Sequence, residues 1–206
     1  MKKQLPLIVG FLPLIAFSLL TKILPSGDVG VAGLVAALLA LAVMLTSHPV
    51  WPPKILNACS FLLFTLLAVL GFSLDKGDKL WLATWPGGGA AIVLGAVVLL
   101  LVPVIPFTEQ YAKQSVPPEE WGTPRFKRVN HVLSLAWGAS IVLIGFARVA
   151  AEAVARHSSG HRLAQILLGA AVPVVIIVYT LKFTQSYPER VANAQARTPS
   201  PPPRTS

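Results

Sequence analysis

Six long apolar stretches constrain what this chain can fold into. They lie at about residues 5–24, 29–47, 55–74, 88–107, 129–147 and 163–181. A helix needs about 20 mostly apolar residues to cross the hydrocarbon core of a bilayer. The stretches are rich in Leu and Ala and lack the period-two alternation of β-strands. Because only 12% of the residues are charged, the sequence predicts an all-α, polytopic transmembrane bundle of about six spans.

The basic residues predict how the bundle is oriented. With both termini in the cytoplasm, eleven of the 17 Lys and Arg residues fall on the cytoplasmic side, as the positive-inside rule requires. The opposing observation is the cluster of Arg148, Arg156 and Arg162 near an outer loop. We expect one transmembrane domain over residues 1–187 and a Pro-rich, disordered cytoplasmic tail over residues 188–206.

The connections between spans carry their own signals. The sequence Pro25-Ser26-Gly27-Asp28 has turn chemistry and predicts a tight hairpin between the first two spans. Residues 107–114 are expected to form a short helix at the membrane interface, which Val116-Pro117-Pro118 stops. Prolines in or near spans predict kinks; they are Pro13, Pro103, Pro106 and Pro173.

Several functional classes find little support. The net charge of +9 comes without a basic stripe interleaved with aromatic residues, so no nucleic-acid partner is expected. No Asp or Glu lies inside the six predicted spans, which argues against ion-coupled transport. His157 and His161 have a metal-ligand spacing, but Ser158-Ser159-Gly160 between them disfavours a helix. Glu119 and Glu120 are adjacent, so they are weak candidates for a general acid–base pair. From these observations together we predict no catalytic, cofactor-binding or metal-binding residue.

One face of the fifth span combines small and polar residues. They recur at helical spacing and comprise Asn130, Ser134, Trp137, Gly138, Ile141 and Gly145. Ala32, Ala36 and Ala40 form a similar row in the second span. Small residues on one side permit close helix packing. Bundle packing is the favoured interpretation of both rows, and a homo-oligomer or partner interface is the alternative.

Three short patterns follow one another along the chain. They are Phe11-Leu12-Pro13-Leu14 with Lys22-Ile23; Leu70-Gly71-Phe72 with the charged residues 75–79 and Trp81; and Trp121, Phe126, Asn130 and Trp137-Gly138. Their order resembles the bacterial intracellular septation protein A family of small polytopic inner-membrane proteins, over about residues 5–185. The 108–112 segment and the Pro-rich tail depart from the family pattern.

The resemblance implies a non-catalytic protein of the bacterial inner membrane. It would act in septation or cell-envelope maintenance through cell-division or wall-synthesis partners, within a lipid membrane. We predict that the contact surface includes residues 108–128 and the fifth-span face, and that the loop–helix junction depends on Trp121, Phe126, Asn130, Ser134, Trp137 and Gly138. The alternative hypothesis is a small oligomeric transporter or channel. A third hypothesis is a membrane-embedded enzyme that uses loop residues such as His131, Glu119 or Glu120.

Overall fold

Every regular element in the described part of the chain is helical. The computed structural model describes residues 9–25, 28–47, 53–75, 86–157 and 162–196. The helices are α1 (Leu12–Ile23), α2 (Val29–Thr46), α3 (Ile55–Ser73), α4 (Pro86–Leu101), α5 (Phe107–Ala112), α6 (Pro124–His157), α7 (Arg162–Ile166) and α8 (Val172–Ala196). A 3₁₀ turn, Pro118–Glu120, precedes α6, and a π-helical turn, Leu167–Ala171, joins α7 to α8.

Within the described residues, four helical stretches are long and apolar enough to cross a membrane. They are Val29–Thr46, Ile55–Ser73, Pro124–Arg156 and Arg162–Ala194, while α1 and residues Gly88–Leu101 of α4 are shorter apolar helices. Large apolar side chains stand exposed on these helices, such as Leu62 at 68% and Val175 at 65%. Because soluble proteins rarely leave such large apolar patches in water, the helices indicate a membrane protein.

Glycines bring the helices together in two close pairs. A Cβ on Gly71 of α3 would lie 2.5 Å from the backbone N and Cα of Gly30 in α2. A Cβ on Gly145 of α6 would lie 2.8 Å from the carbonyl oxygen of Gly88 in α4. Backbones approach this closely only where no side chain intervenes. The small-residue rows of the second and fifth spans therefore serve packing within the bundle.

Helix α1 lies against both pairs, since it packs on α2 and on α4. Near its middle, Phe17 is completely buried and its ring lies 5.2 Å from that of Phe64. Closer to its N-terminus, Phe11 stacks on Trp137 of α6 with ring centroids 5.2 Å apart. The turn that leads from α1 into α2 includes a hydrogen bond from the Asp28 N–H to the Pro25 carbonyl, 2.9 Å long, consistent with the predicted turn.

The fourth apolar stretch does not form one helix. The sequence predicts a span over residues 88–107, but α4 ends at Leu101 and Phe107 begins α5. Pro103 and Pro106 account for the break, because each lacks the N–H that would continue the helix and disfavours helical geometry in the residue before it. The predicted short helix at 107–114 is confirmed as α5, and α6 contacts it directly.

The last two helices extend well beyond the predicted spans. Helix α6 covers 34 residues, where the apolar pattern predicts residues 129–147, because the flanking segments are rich in Ala and Arg, which favour helices. The predicted disordered tail is wrong at its start: α8 continues through Pro188 to Ala196. Residues 189–196 contain good helix formers, and the rest of the predicted tail lies outside the described residues.

Alanine substitution is expected to lower the stability of the chain at Gly71 but not at Gly89. Gly71→Ala should lower the free energy of unfolding by about 1–3 kcal/mol, because its methyl group would overlap the Gly30 backbone. Gly89→Ala is the matched control, since no atom of the described residues lies within 4 Å of its added Cβ, and better helix propensity should leave stability unchanged or raised. Unfolding of the detergent-solubilised chain, followed by tryptophan fluorescence, measures both. Equal destabilisation by the two variants would contradict the close α2–α3 contact.

Candidate functional site

A groove of about 920 Å³ opens between α5, α6 and α8. Its walls combine apolar and aromatic side chains with hydroxyl, amide and charged groups. The lining residues, hereafter the α5 groove, are Thr108, Tyr111, Ala112, Ser115, Val116, Glu120, Arg125, Phe126, Val129, Asn130, Leu133, Trp137, Thr184, Gln185, Pro188 and Glu189. Ligand pockets measure about 300–1,000 Å³, so the groove is large enough for a short peptide segment.

A buried hydroxyl network fixes α5 against α6. The Thr108 hydroxyl donates to the Asn130 carbonyl at 2.8 Å and lies 2.8 Å from the Ser134 hydroxyl, which also accepts the Thr108 backbone N–H at 3.2 Å. All three residues are at least 95% buried. The network satisfies polar groups that would otherwise be unpaired. It also explains why two predicted junction residues, Asn130 and Ser134, sit beneath this short helix.

Hydrogen bonds also hold α8 along the other side of the groove. The Trp137 indole N–H donates to the Thr184 hydroxyl at 3.0 Å, and the Arg125 guanidinium donates to the Pro188 carbonyl at 3.3 Å. Trp137 is 4% exposed, so its ring forms part of the floor while its N–H points to α8. The groove walls are therefore joined by specific polar contacts and not by apolar packing alone.

The N-terminal end of α3 anchors α5 from the opposite side. The Gln110 side-chain carbonyl accepts the Ile55 backbone N–H at 2.8 Å, and the Lys54 ammonium lies 4.8 Å from the centre of the Tyr111 ring. Burial lowers the pKa of Lys54 and raises the pKa of Tyr111 above its ordinary value, because it disfavours the charged form of each group. Tyr111 is thus a neutral wall of the groove, and Lys54 contacts the opposite surface of that wall.

The six predicted junction residues separate into three groups. Phe126, Asn130 and Trp137 line the α5 groove, and Ser134 is buried beneath it. Trp121 stabilises the turn before α6, since its indole N–H donates to the Val116 carbonyl at 2.9 Å. Gly138 faces α4, where an added Cβ would lie 2.7 Å from Leu99.

The fifth-span face is not an exposed contact surface, because α4 and α5 cover it. Ser134 is fully buried and Ile141 is 4% exposed. The predicted contact surface included this face, but its central residues are buried within the chain, in agreement with the favoured interpretation of bundle packing. Only Asn130 and Trp137 of this face line the groove. Part of the predicted segment 108–128 is exposed, including Glu119 and Glu120.

Three groove residues are absent from the predicted junction residues: Thr108 and Tyr111, which lie within the predicted contact segment 108–128, and Thr184. Each acts through partners distant in sequence, such as Trp137 at a separation of 47 residues. The available signal was the position of Thr108 and Tyr111 in the predicted short helix. For metal binding, the described residues contain no group of three or more His, Cys, Asp or Glu side chains that could hold an ion, and His161 lies outside them.

Comparison with known proteins gives no match: no protein-family model, no curated protein and no solved structure is similar to this chain. The geometry of the α5 groove and the residue patterns of the sequence are therefore the basis for a functional proposal.

Removal of the Thr108 hydroxyl should loosen α5. Thr108→Val is expected to lower the free energy of unfolding by about 1–3 kcal/mol, because the Asn130 carbonyl and the Ser134 hydroxyl lose a buried partner. Thr46→Val is the control, since the Thr46 hydroxyl bonds only carbonyls of its own helix near the surface. Unfolding of the detergent-solubilised variants measures both changes in the free energy of unfolding. A Thr108→Val variant as stable as Thr46→Val would contradict the anchoring role.

A double-mutant cycle tests the bond between α6 and α8. Trp137→Phe and Thr184→Val each remove one partner of the hydrogen bond. The coupling free energy from the two single variants and the double variant is expected to be about 0.5–1.5 kcal/mol, as for hydrogen bonds between membrane helices. A coupling energy of zero would show that the bond contributes nothing to the attachment of α8.

Proposed function

We propose that the chain is a non-catalytic scaffold of the bacterial inner membrane, whose α5 groove holds a segment of a partner protein. The observation that carries the proposal is the make-up of the groove: an aromatic and aliphatic floor with a polar, charged rim. Protein interfaces have this composition, and Trp, Tyr and Arg dominate their binding energy. Trp137, Tyr111 and Arg125 supply these residue types in the groove.

Charge supports a cytoplasmic location for the groove. In the proposed topology all six apolar helices cross the membrane and both termini are cytoplasmic. The groove then lies at the end of the bundle that carries Lys54, Lys113, Arg125, Lys127, Arg128, Lys182 and Arg190. The positive-inside rule assigns such an end to the cytoplasm. A cytoplasmic groove is accessible to the soluble or juxtamembrane segments of other envelope proteins.

The resemblance to the intracellular septation protein A family supports a partner class. The patterns that carry it include Phe126, Asn130 and Trp137, which line the groove. We therefore propose that the partner belongs to the cell-division or wall-synthesis machinery. The chain would hold that partner at the membrane and itself catalyse no step.

Photocrosslinking in native membranes tests this function. A benzophenone residue in place of Ser115, at the groove, should form an adduct with a division or wall-synthesis protein, identified by mass spectrometry. The same residue in place of Val175, which is 65% exposed on α8, should not. Ala112→Trp would fill the groove and should abolish the adduct, whereas Ala139→Trp, at an exposed position of α6, should preserve it. Normal septa and cell length in a deletion strain would contradict the proposal.

The second candidate is a small oligomeric transporter or channel. It is favoured by the buried hydroxyls of Ser60 and Thr65 on α3, which have no hydrogen-bond partner among the described residues. Other hydroxyls that could line a polar path are used elsewhere: Ser18 pairs with α6, and Ser140 pairs with α8. Solute flux in reconstituted vesicles, absent from empty vesicles and abolished by Ser60→Val, would favour this candidate over the scaffold.

A further inference from the structure

Four polar residues meet between α1 and α6, at the end of the bundle opposite the α5 groove. The half-buried Arg148 donates a hydrogen bond from its guanidinium to the hydroxyl of Ser18, which is 3% exposed. One helical turn further along α6, the Glu152 carboxylate pairs with the Lys22 ammonium at 3.3 Å. Two cations and one anion give this cluster a net charge of +1.

The position of Arg148 along α6 places it at a membrane boundary. It follows Arg128 by 20 residues, and the stretch between them is uncharged. At about 1.5 Å per residue this separation is about 30 Å, the thickness of the hydrocarbon core. When Arg128 lies at one polar boundary, Arg148 lies at the other, in the layer that contains lipid phosphates.

Other groups of the chain compensate the positive charge of Arg148 only in part. The Glu152 carboxylate, one turn further along α6, interacts electrostatically with Arg148 but makes its ion pair with Lys22, while the hydrogen-bond acceptor of Arg148 is a neutral hydroxyl. A guanidinium has five N–H donors in a planar fork, and this geometry matches phosphate oxygens. Exposed apolar side chains flank the cluster on α1, with Leu19 at 54% and Ile23 at 75% exposure, where acyl chains would lie.

We propose that Arg148, with Lys22 and Ser18, forms a binding site for a phosphate group at this boundary. The group would come from the head of an anionic phospholipid or from free phosphate in solution. Arg148 would bind two phosphate oxygens, Ser18 would orient the guanidinium, and Lys22 would add a second charge. Glu152 would compete with the phosphate for Lys22, so it would weaken binding. The site is separate from the α5 groove and does not depend on the proposed function.

The test measures lipid binding to the intact chain in neutral detergent by native mass spectrometry. Phosphatidylglycerol should bind about tenfold more tightly than phosphatidylcholine, whose choline offsets the phosphate charge. Arg148→Gln should weaken phosphatidylglycerol binding about tenfold, which corresponds to one charge-assisted contact. Lys127→Gln removes the same charge at an exposed position on the far end of α6, and should weaken binding less than about twofold.

A second variant gives a change of the opposite sign. Glu152→Gln should strengthen phosphatidylglycerol binding several-fold, because it releases Lys22 from its ion pair; a general loss of structure would not increase affinity. This variant decides the question if Arg148→Gln does not fold, as judged by circular dichroism. Equal losses in Arg148→Gln and Lys127→Gln, or no gain in Glu152→Gln, would overturn the proposal.

Competition identifies the source of the phosphate. If millimolar inorganic phosphate displaces the lipid from the unmodified chain but does not alter residual binding to Arg148→Gln, the site accepts free phosphate. If the lipid remains bound in excess phosphate, the site is specific for a lipid headgroup with its acyl chains. Binding of neither phosphate form in an Arg148-dependent way would refute the site.

Discussion

Close contact between α4 and α6 is the constraint on which the other features depend. An added Cβ on Gly95 would lie 2.9 Å from the Val142 backbone nitrogen, and one on Gly88 would lie 2.8 Å from the Gly145 carbonyl oxygen. Without these glycines the two backbones could not approach so closely. Because α6 also contacts α5, α7 and α8, its position relative to α4 determines where the groove forms and where Arg148 meets α1.

Helix α8 shows how polar contacts act where apolar burial cannot. Only 11% of the most apolar window of Arg162–Ala194, the stretch that comprises α7, the π-helical turn and most of α8, is buried in the chain, against 33–44% for the other three membrane-spanning candidates. Lipid is as apolar as a leucine side chain, so little hydrophobic driving force attaches a helix of this kind. The buried Ser140–Thr180 pair, 2.7 Å apart, and the Trp137–Thr184 bond give α8 a defined register on α6. The wall of the groove depends on that register.

The sequence predicts which segments are helical better than it predicts where each helix ends. The reason is that the two depend on different physical properties. Apolar content indicates which residues can lie in lipid, whereas helix length depends on backbone propensity, so α6 continues past Ala147 and α8 past Leu181. Two prolines three residues apart, Pro103 and Pro106, end a helix where the apolar pattern alone predicts continuation. The helical spacing of the small and polar residues in the fifth span identifies one helix face. Asn130 and Trp137 are both predicted to lie on that face.

The residues that contact the fifth-span face in the folded chain cannot be predicted from helical spacing. Thr108 reaches Ser134 across 26 residues, and the proline break decides that the two meet, because it turns α5 back onto α6. Lys22 and Glu152 are 130 residues apart, and neither the hydropathy nor the spacing of a single chain pairs them. The apolar pattern also excluded acidic residues from the spans, since it ended the fifth span before Glu152. Contacts of this kind follow from the arrangement of the helices, which composition does not determine.

Across residues 9–25, 28–47, 53–75, 86–157 and 162–196, the buried side-chain polar atoms without a hydrogen-bond partner lie on α3 and beside the groove. The Asn57 side-chain oxygen and the Tyr111 hydroxyl have no hydrogen-bond partner in the part of the chain that the structure describes. Both lie within 3.3 Å of the position that a Cβ on Gly10 would take. Each such group costs about 1–3 kcal/mol, a cost that native proteins carry mainly where function requires it. Tyr111 belongs to α5 and also lines the groove, so its unpaired hydroxyl destabilises α5. The hydrogen bonds of Thr108 and Gln110 hold this same helix in place. Those bonds are the polar contacts that attach α5 to α3 and α6.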